Sequence, residues 1–195
     1  MIELILAFAG GYLLGSIPFA YVVTALFGLG DIRKVGSGNV GATNVLRTGN
    51  KLATALTLIG DIGKGVVAVL IAKQFGELAG MGAALGAFTG HVFPVWLGFK
   101  GGKGVATFIG ILAALNLPVA LIVCATWITV ALISQISSLA ALVAAAASPI
   151  YMLLFGPWQY ALGAAILAAL IFVTHRENIR RLLAGQEPRI GAKKP

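Results

Sequence analysis

Residues 104–133 read GVATFIGILAALNLPVALIVCATWITVALI, and no charged residue interrupts them. The run is too long for one membrane span of about 20 residues and short for two. Asn116-Leu117-Pro118 divides it, because a proline at the second position after an asparagine favours a helix break and restart. How the resulting segments, 104–115 and 117–133, are counted decides the fold. Working outward, further apolar segments lie at 3–28, 53–73, 78–98, 139–155 and 158–174.

The basic residues settle the count. Arg33, Lys34, Arg47 and Lys51 follow the first segment, and Lys100 and Lys103 follow the third. Arg176, Arg180, Arg181, Arg189, Lys193 and Lys194 follow the last. Seven spans put these three clusters on one side, which the positive-inside rule makes cytoplasmic. Six would throw the basic tail outside. The expectation is an all-α polytopic membrane protein: a compact bundle of about seven transmembrane helices, N-terminus outside and C-terminus cytoplasmic, with residues 1–195 as one domain.

Composition agrees. Of 195 residues, 59% are hydrophobic and 10% charged, against about 25% charged in a soluble domain. Mean hydropathy is +0.97. Glu3 stands where a signal peptide would be basic, so the first segment is read as a span that stays. The single cysteine, Cys124, cannot form an internal disulfide and reads as a small buried residue. The net charge of +8 fits cytoplasmic loops near anionic headgroups. No polar face or aromatic–basic groove is left over for nucleic acid. Small residues suit close helix packing, and the Gly82–Gly86–Gly90 ladder marks such a face.

Two loops carry the polar chemistry. Phe99-Lys100-Gly101-Gly102-Lys103-Gly104-Val105-Ala106-Thr107 has glycines that let backbone N–H groups approach an anion, two cations, and a helix start near Gly104. It fails the Walker pattern: Leu97 stands where the first glycine belongs, and Gly104 where Ser or Thr should follow Lys103. Gly36-Ser37-Gly38-Asn39-Val40-Gly41-Ala42-Thr43-Asn44 packs hydrogen-bonding groups ahead of Arg47. It formally matches the dinucleotide fingerprint, but an apolar span precedes it where a strand is required. Both loops are read as phosphate-type binding sites at the membrane surface.

Other polar residues are more ambiguous. Asp61 and Lys64 share a helix face inside a span, as a structural ion pair or as part of a cavity. His91 is a packing histidine or a site residue. His175, Asn178 and Arg181 recur on one helical face after the last span, in a positive-inside tail or in the site. No His/Cys/carboxylate set has metal-ligand spacing, and no nucleophile elbow occurs.

Gly36–Asn44, Asp61-Ile-Gly-Lys-Gly65, His91-Val-Phe-Pro94, Phe99–Thr107 and His175-Arg-Glu-Asn178, in this order, resemble the bacterial acyl-phosphate-dependent glycerol-3-phosphate acyltransferase family. The resemblance covers essentially the whole chain. It implies transfer of an acyl group from acyl phosphate to the 1-hydroxyl of sn-glycerol 3-phosphate, giving lysophosphatidate and phosphate. This is the first acylation of phospholipid synthesis in the bacterial inner membrane, with no cofactor and no metal. The partners implied are the two substrates, membrane lipid and an enzyme that makes acyl phosphate; the chain is read as a monomer. Neither histidine starts a His-x-x-x-x-Asp motif, since Trp96 and Arg180 stand at the fifth positions.

An acyl phosphate has a good leaving group, so alignment and charge neutralisation matter more than a strong nucleophile. Lys100, Gly101, Gly102, Lys103 and Gly104 are assigned to one phosphate and the developing oxyanion, with Thr107 and His91 beside them. Gly36, Ser37, Gly38, Asn39, Thr43, Asn44 and Arg47 hold the other substrate, and His175 and Asn178 complete the pocket. Ser37, Lys103, His175 and Asn178 form the catalytic set, with Asp61 and Lys64 in support. The base is His175 or a substrate phosphate oxygen. The competing reading is a small transporter or channel for a phosphorylated solute.

Overall fold

The computed structural model describes residues 2–190; Lys193 and Lys194 of the basic tail lie outside them. Among the described residues all regular structure is helical and no strand occurs. Two compact units form, Met1–Ala114 and Leu115–Pro195.

The first unit holds α1 (Ile2–Gly15), α2 (Phe19–Leu26), α3 (Ala42–Val45), α4 (Lys51–Lys73), α5 (Glu77–Val92) and most of α6 (Val105–Leu115). The sequence expectation of one segment over 3–28 misses the interruption at Ser16-Ile17-Pro18. Pro18 has no N–H to give to the ladder, so α1 ends and α2 restarts. The expected glycine ladder is the face on which α5 meets α1. A methyl group added at Gly82, Gly86 or Gly90 would strike the backbone of Leu4, Phe8 or Tyr12, and one at Gly11 or Gly15 would strike Ala83 or Ala87. Here glycine is needed for close approach rather than for flexibility. Gly65 and Gly110 do the same between α4 and α6, against the Thr107 and Ile62 carbonyls.

Helix starts follow local chemistry. The Asn50 side chain accepts from the Ala53 N–H at 2.9 Å and starts α4 two residues ahead of the expected segment. Asn116 starts α7 (Leu117–Ser134), accepting from the Val119 N–H at 3.1 Å with Pro118 in the first turn. The expected break in the opening stretch therefore has a capping residue behind it.

In the second unit, α7 packs on α8 (Ser137–Phe155), and α8 packs on α9 (Trp158–Thr174). The Asn116 Nδ2 donates to the Phe155 carbonyl at 2.8 Å, tying the start of α7 to the end of α8. A last helix, α10 (Arg176–Leu183), leaves α9 at a bend of 65°.

Five helical segments are long and apolar enough to cross a membrane: Ile2–Leu26, Lys51–Lys73, Glu77–Leu97, Leu117–Ser134 and Ser137–Phe155. The bent pair of α9 and α10 makes a sixth if taken as one span. Val105–Leu115, with 11 residues, rises about 16 Å, roughly half of a hydrocarbon core. Large apolar side chains such as Ile5, Leu6, Ile59, Leu70, Leu121, Leu132 and Leu153 are exposed along these helices, as lipid contact requires.

Candidate active site

The loop between α2 and α4 is folded around Asn44. Its buried side chain donates from Nδ2 to the Ile32 and Val35 carbonyls at 3.1 and 2.9 Å. Its Oδ1 accepts from the Ser37 N–H at 3.3 Å and Arg47 Nη1 at 3.4 Å. Gly36 turns with φ +52, and a Cβ there would touch Asn44 Oδ1 and the Arg47 side chain. Beneath, Ile32, Val40 and Val45 join Ala20, Val23 and Ala53 in an apolar cluster that holds the loop down. Asn44 thus orders the loop from inside. Ser37, Thr43 and Arg47 are exposed on it, with Asn39 half-buried.

Asp31 opens this loop. Its carboxylate accepts from the Arg33 N–H at 3.0 Å and grips the guanidinium, with Nη2 2.7 Å from Oδ2. The Arg33 side-chain hydrogen bond, helped by that backbone bond, holds the Asp31 carboxyl at about 2. Arg33 also lies over the Tyr21 ring, 5.2 Å from its centroid.

The lysine loop follows α5 and a short 3-10 turn, Val95–Leu97. Its glycines do something other than the expected cradling. The Gly101 and Gly102 N–H groups donate back to the Val92 and His91 carbonyls at 3.0 and 3.1 Å, pinning the loop to the end of α5. A Cβ on Gly102 would strike the His91 ring and the Val40 carbonyl of the first loop. Gly104, with φ +88, lies against the Phe88 ring. The two loops therefore touch, because the lysine loop has no side chain at the contact. Lys100 is exposed and Lys103 half-buried, while Thr107 is buried in the first turn of α6, its carbonyl against Gly65.

Under the loops sits a buried charged cluster. Lys64 Nζ lies 2.9 Å from Asp61 Oδ1 and also donates to the Ile17 carbonyl at 2.9 Å. The His91 Nδ1 lies 3.5 Å from the same Asp61 oxygen. The structure thus joins His91 to Asp61 and Lys64, which sequence spacing could not show.

In the second unit, His175 is buried at the bend, its Nδ1 2.9 Å from the Ile171 carbonyl. The bend departs from the expected continuous helical face, and no proline or glycine announces it. Asn178 and Arg181 do share a face, because both bind Glu187. The Arg181 Nε donates to Oε2 at 2.7 Å, Ser138 Oγ donates to Oε1 at 2.7 Å, and Asn178 Nδ2 donates to the same Oε1. Burial pushes the Glu187 carboxyl up, but these hydrogen bonds outweigh it and hold it below its usual value. Sequence reasoning missed Glu187; its only signal is an acidic residue among cations in the tail. Among the described residues no group of three or more His, Cys, Asp or Glu could hold a metal ion.

Comparison with known proteins bears on this geometry. A family model described as glycerol-3-phosphate acyltransferase matches residues 5–185. The chain belongs to the glycerol-3-phosphate acyltransferase family. It is thus an enzyme family member built into the membrane, as the resemblance implied. A glycerol-3-phosphate acyltransferase of Cereibacter sphaeroides is 58% identical over 194 residues, covering 99% of this chain and 92% of the relative. One from Maricaulis maris is also 58% identical, covering 96% and 88%. The crystal structure of PlsY (YgiH), an integral membrane glycerol 3-phosphate acyltransferase, in its glycerol 3-phosphate form superposes with a TM-score of 0.91. It is 40% identical, and each chain is covered to 96%. The lysophosphatidic acid form gives 0.88 at 37% identity, covering 96% of this acyltransferase and 95% of PlsY.

Proposed function

We propose that this acyltransferase moves an acyl group from acyl phosphate to the 1-hydroxyl of sn-glycerol 3-phosphate, in the first acylation of bacterial phospholipid synthesis. The hydroxyl oxygen attacks the carbonyl carbon, the bond from that carbon to the phosphate oxygen breaks, and 1-acyl-glycerol 3-phosphate and inorganic phosphate leave. The hydroxyl proton ends on the released phosphate, directly or by way of His175.

One observation carries the reading: two cation-bearing loops are packed against each other through Gly102 and Val40. Two anionic reactants need such a paired arrangement, and aligning them lowers a barrier that leaves little for covalent catalysis to do. PlsY forms with glycerol 3-phosphate and with lysophosphatidic acid support the acceptor and product. Lys103 and Lys100 neutralise phosphate and oxyanion charge, with Gly101, Gly102 and Gly104 keeping them close. Ser37, Asn39, Thr43 and Arg47 orient the partner substrate. Gly36, Gly38 and Asn44 shape that loop, and His91 and Thr107 stand behind the lysine loop. His175 and Asn178 complete the catalytic set.

In this reading residues 1–195 act as one catalytic domain and a monomer, in the inner membrane beside the enzyme that makes acyl phosphate. On the seven-span count expected from the sequence, both loops lie at the cytoplasmic surface, with the N-terminus outside. The test is phosphate release in detergent. Release from acyl phosphate that requires glycerol 3-phosphate, and that acyl-CoA cannot replace as donor, is expected. Release without the acceptor, or equal use of acyl-CoA, would reject the reaction. Lys103→Ala should lower kcat/KM by about 100-fold or more, and a fully active variant would remove the lysine loop from the site.

A further inference from the structure

Asp61 and Lys64 on α4 and His91 on α5 are each more than nine-tenths buried. A brace between helices would need only the Asp61–Lys64 pair. The third member points elsewhere. Asp61 Oδ1 lies 3.5 Å from His91 Nδ1, and the far edge of the same ring lies where a side chain on Gly102 would begin. The Gly102 N–H is bonded to the His91 carbonyl, so loop and histidine meet twice. A narrow cavity joins the same parts: its wall takes in Ser16 and Ile17 at the α1 break, Asp61, Lys64, His91 and Gly101. Ser16 Oγ is buried there without a hydrogen-bond partner.

We propose that Asp61 and His91 are positioning residues for the acyl transfer. The Asp61 carboxylate fixes the proton on His91 Nδ1 and the ring orientation, and the opposite ring edge sets the depth of Gly102. The depth of Gly102 in turn sets where Lys103, the next residue, presents its ammonium. Lys64 neutralises Asp61 inside the membrane and ties it to the Ile17 carbonyl. This inference rests on the reading that the lysine loop holds a substrate phosphate.

The decisive variant is the double change Asp61→Leu with Lys64→Met, which leaves no acceptor facing His91 Nδ1. Removing both partners of a buried pair together is far milder than removing one, so the bundle is kept while the carboxylate that orients His91 is lost. Expected are a Tm close to wild type, an about tenfold higher KM for glycerol 3-phosphate with kcat within about twofold, and faster amide exchange at Gly101 and Gly102. Unchanged KM and unchanged exchange would reduce the cluster to a brace and overturn the proposal. His91→Asn is the second arm if the double variant does not fold. It retains a donor near the Nδ1 position but removes the ring edge at Gly102, and should raise KM and loop exchange alike; wild-type values would overturn the proposal. The two readouts separate the layers. Unchanged exchange with altered KM would break the link between cluster and loop. Faster exchange with unaltered KM would keep that link and overturn the assignment of the loop to a substrate.

Discussion

Glu187 shows how much one side chain can fix. Its carboxylate, 6% exposed, gathers Ser138 at the start of α8 and Asn178 and Arg181 on α10. Changing it to glutamine turns an acceptor oxygen into a donor facing donors. Glu187→Gln should cost about 2 kcal/mol of stability at neutral pH, read as a lower Tm in detergent. The sign of the pH dependence follows from the depressed carboxyl. The contribution is fully present above the ordinary value of 4.5 and is lost as pH falls below it towards the lowered folded value. The Tm gap between wild type and variant should therefore hold from pH 7 to about 5 and close below pH 4.5; a gap unchanged well below pH 4 would show that the charge is not what Glu187 contributes. A second test belongs to Gly36. At φ +52 an alanine is strained by about 1–2 kcal/mol and also meets Arg47. Gly36→Ala should lower activity together with Tm, and normal values of both would show that the loop can shift freely.

At the scale of elements, the α1–α5 pair depends on absent side chains. Gly11 and Gly15 face Ala83 and Ala87, while Gly82, Gly86 and Gly90 face the α1 backbone. In lipid no water is released when such faces meet, so close van der Waals contact must supply the attraction. Gly86→Leu forces the helices apart at the Phe8 carbonyl and should destabilise by about 1–3 kcal/mol. The same change at Gly63, where nothing lies within 4 Å of a Cβ, should leave Tm nearly unchanged. Equal effects at the two positions would refute the close-packing account. The pair also positions the lysine loop, since α5 ends in His91 and Val92, whose carbonyls receive it.

At the scale of the whole molecule, the arrangement of charges around apolar helices predicts sidedness. A cysteine placed at Arg47 or at Lys100, in a chain with Cys124 replaced, should react with an impermeant maleimide only when the cytoplasmic face is open; labelling of either in intact cells would overturn the proposed orientation. Much of this was legible in the chain. Apolar runs, their punctuation by Asn116 and Pro118, and the glycine ladder rest on local rules: backbone groups must be satisfied within each helix in lipid, and small residues permit contact. The motifs also carried the family. What the chain could not disclose was what each polar residue touches. The polar side chain of Asn44 suggests a ligand from the sequence, yet its Nδ2 donates to the Ile32 and Val35 carbonyls; Gly101 and Gly102 suggest an anion cradle, yet their N–H groups donate to α5. Asp61 and His91, 30 positions apart, share a contact, and Glu187 gathers partners from α8 and α10. Periodicity and capping act between neighbours along the chain, so sequence alone determined most helices and their membrane setting, but not the break at Ser16–Pro18 or the bend at His175. Hydrogen-bond partners are chosen by which donors and acceptors meet when helices pack, and that only the tertiary structure decided.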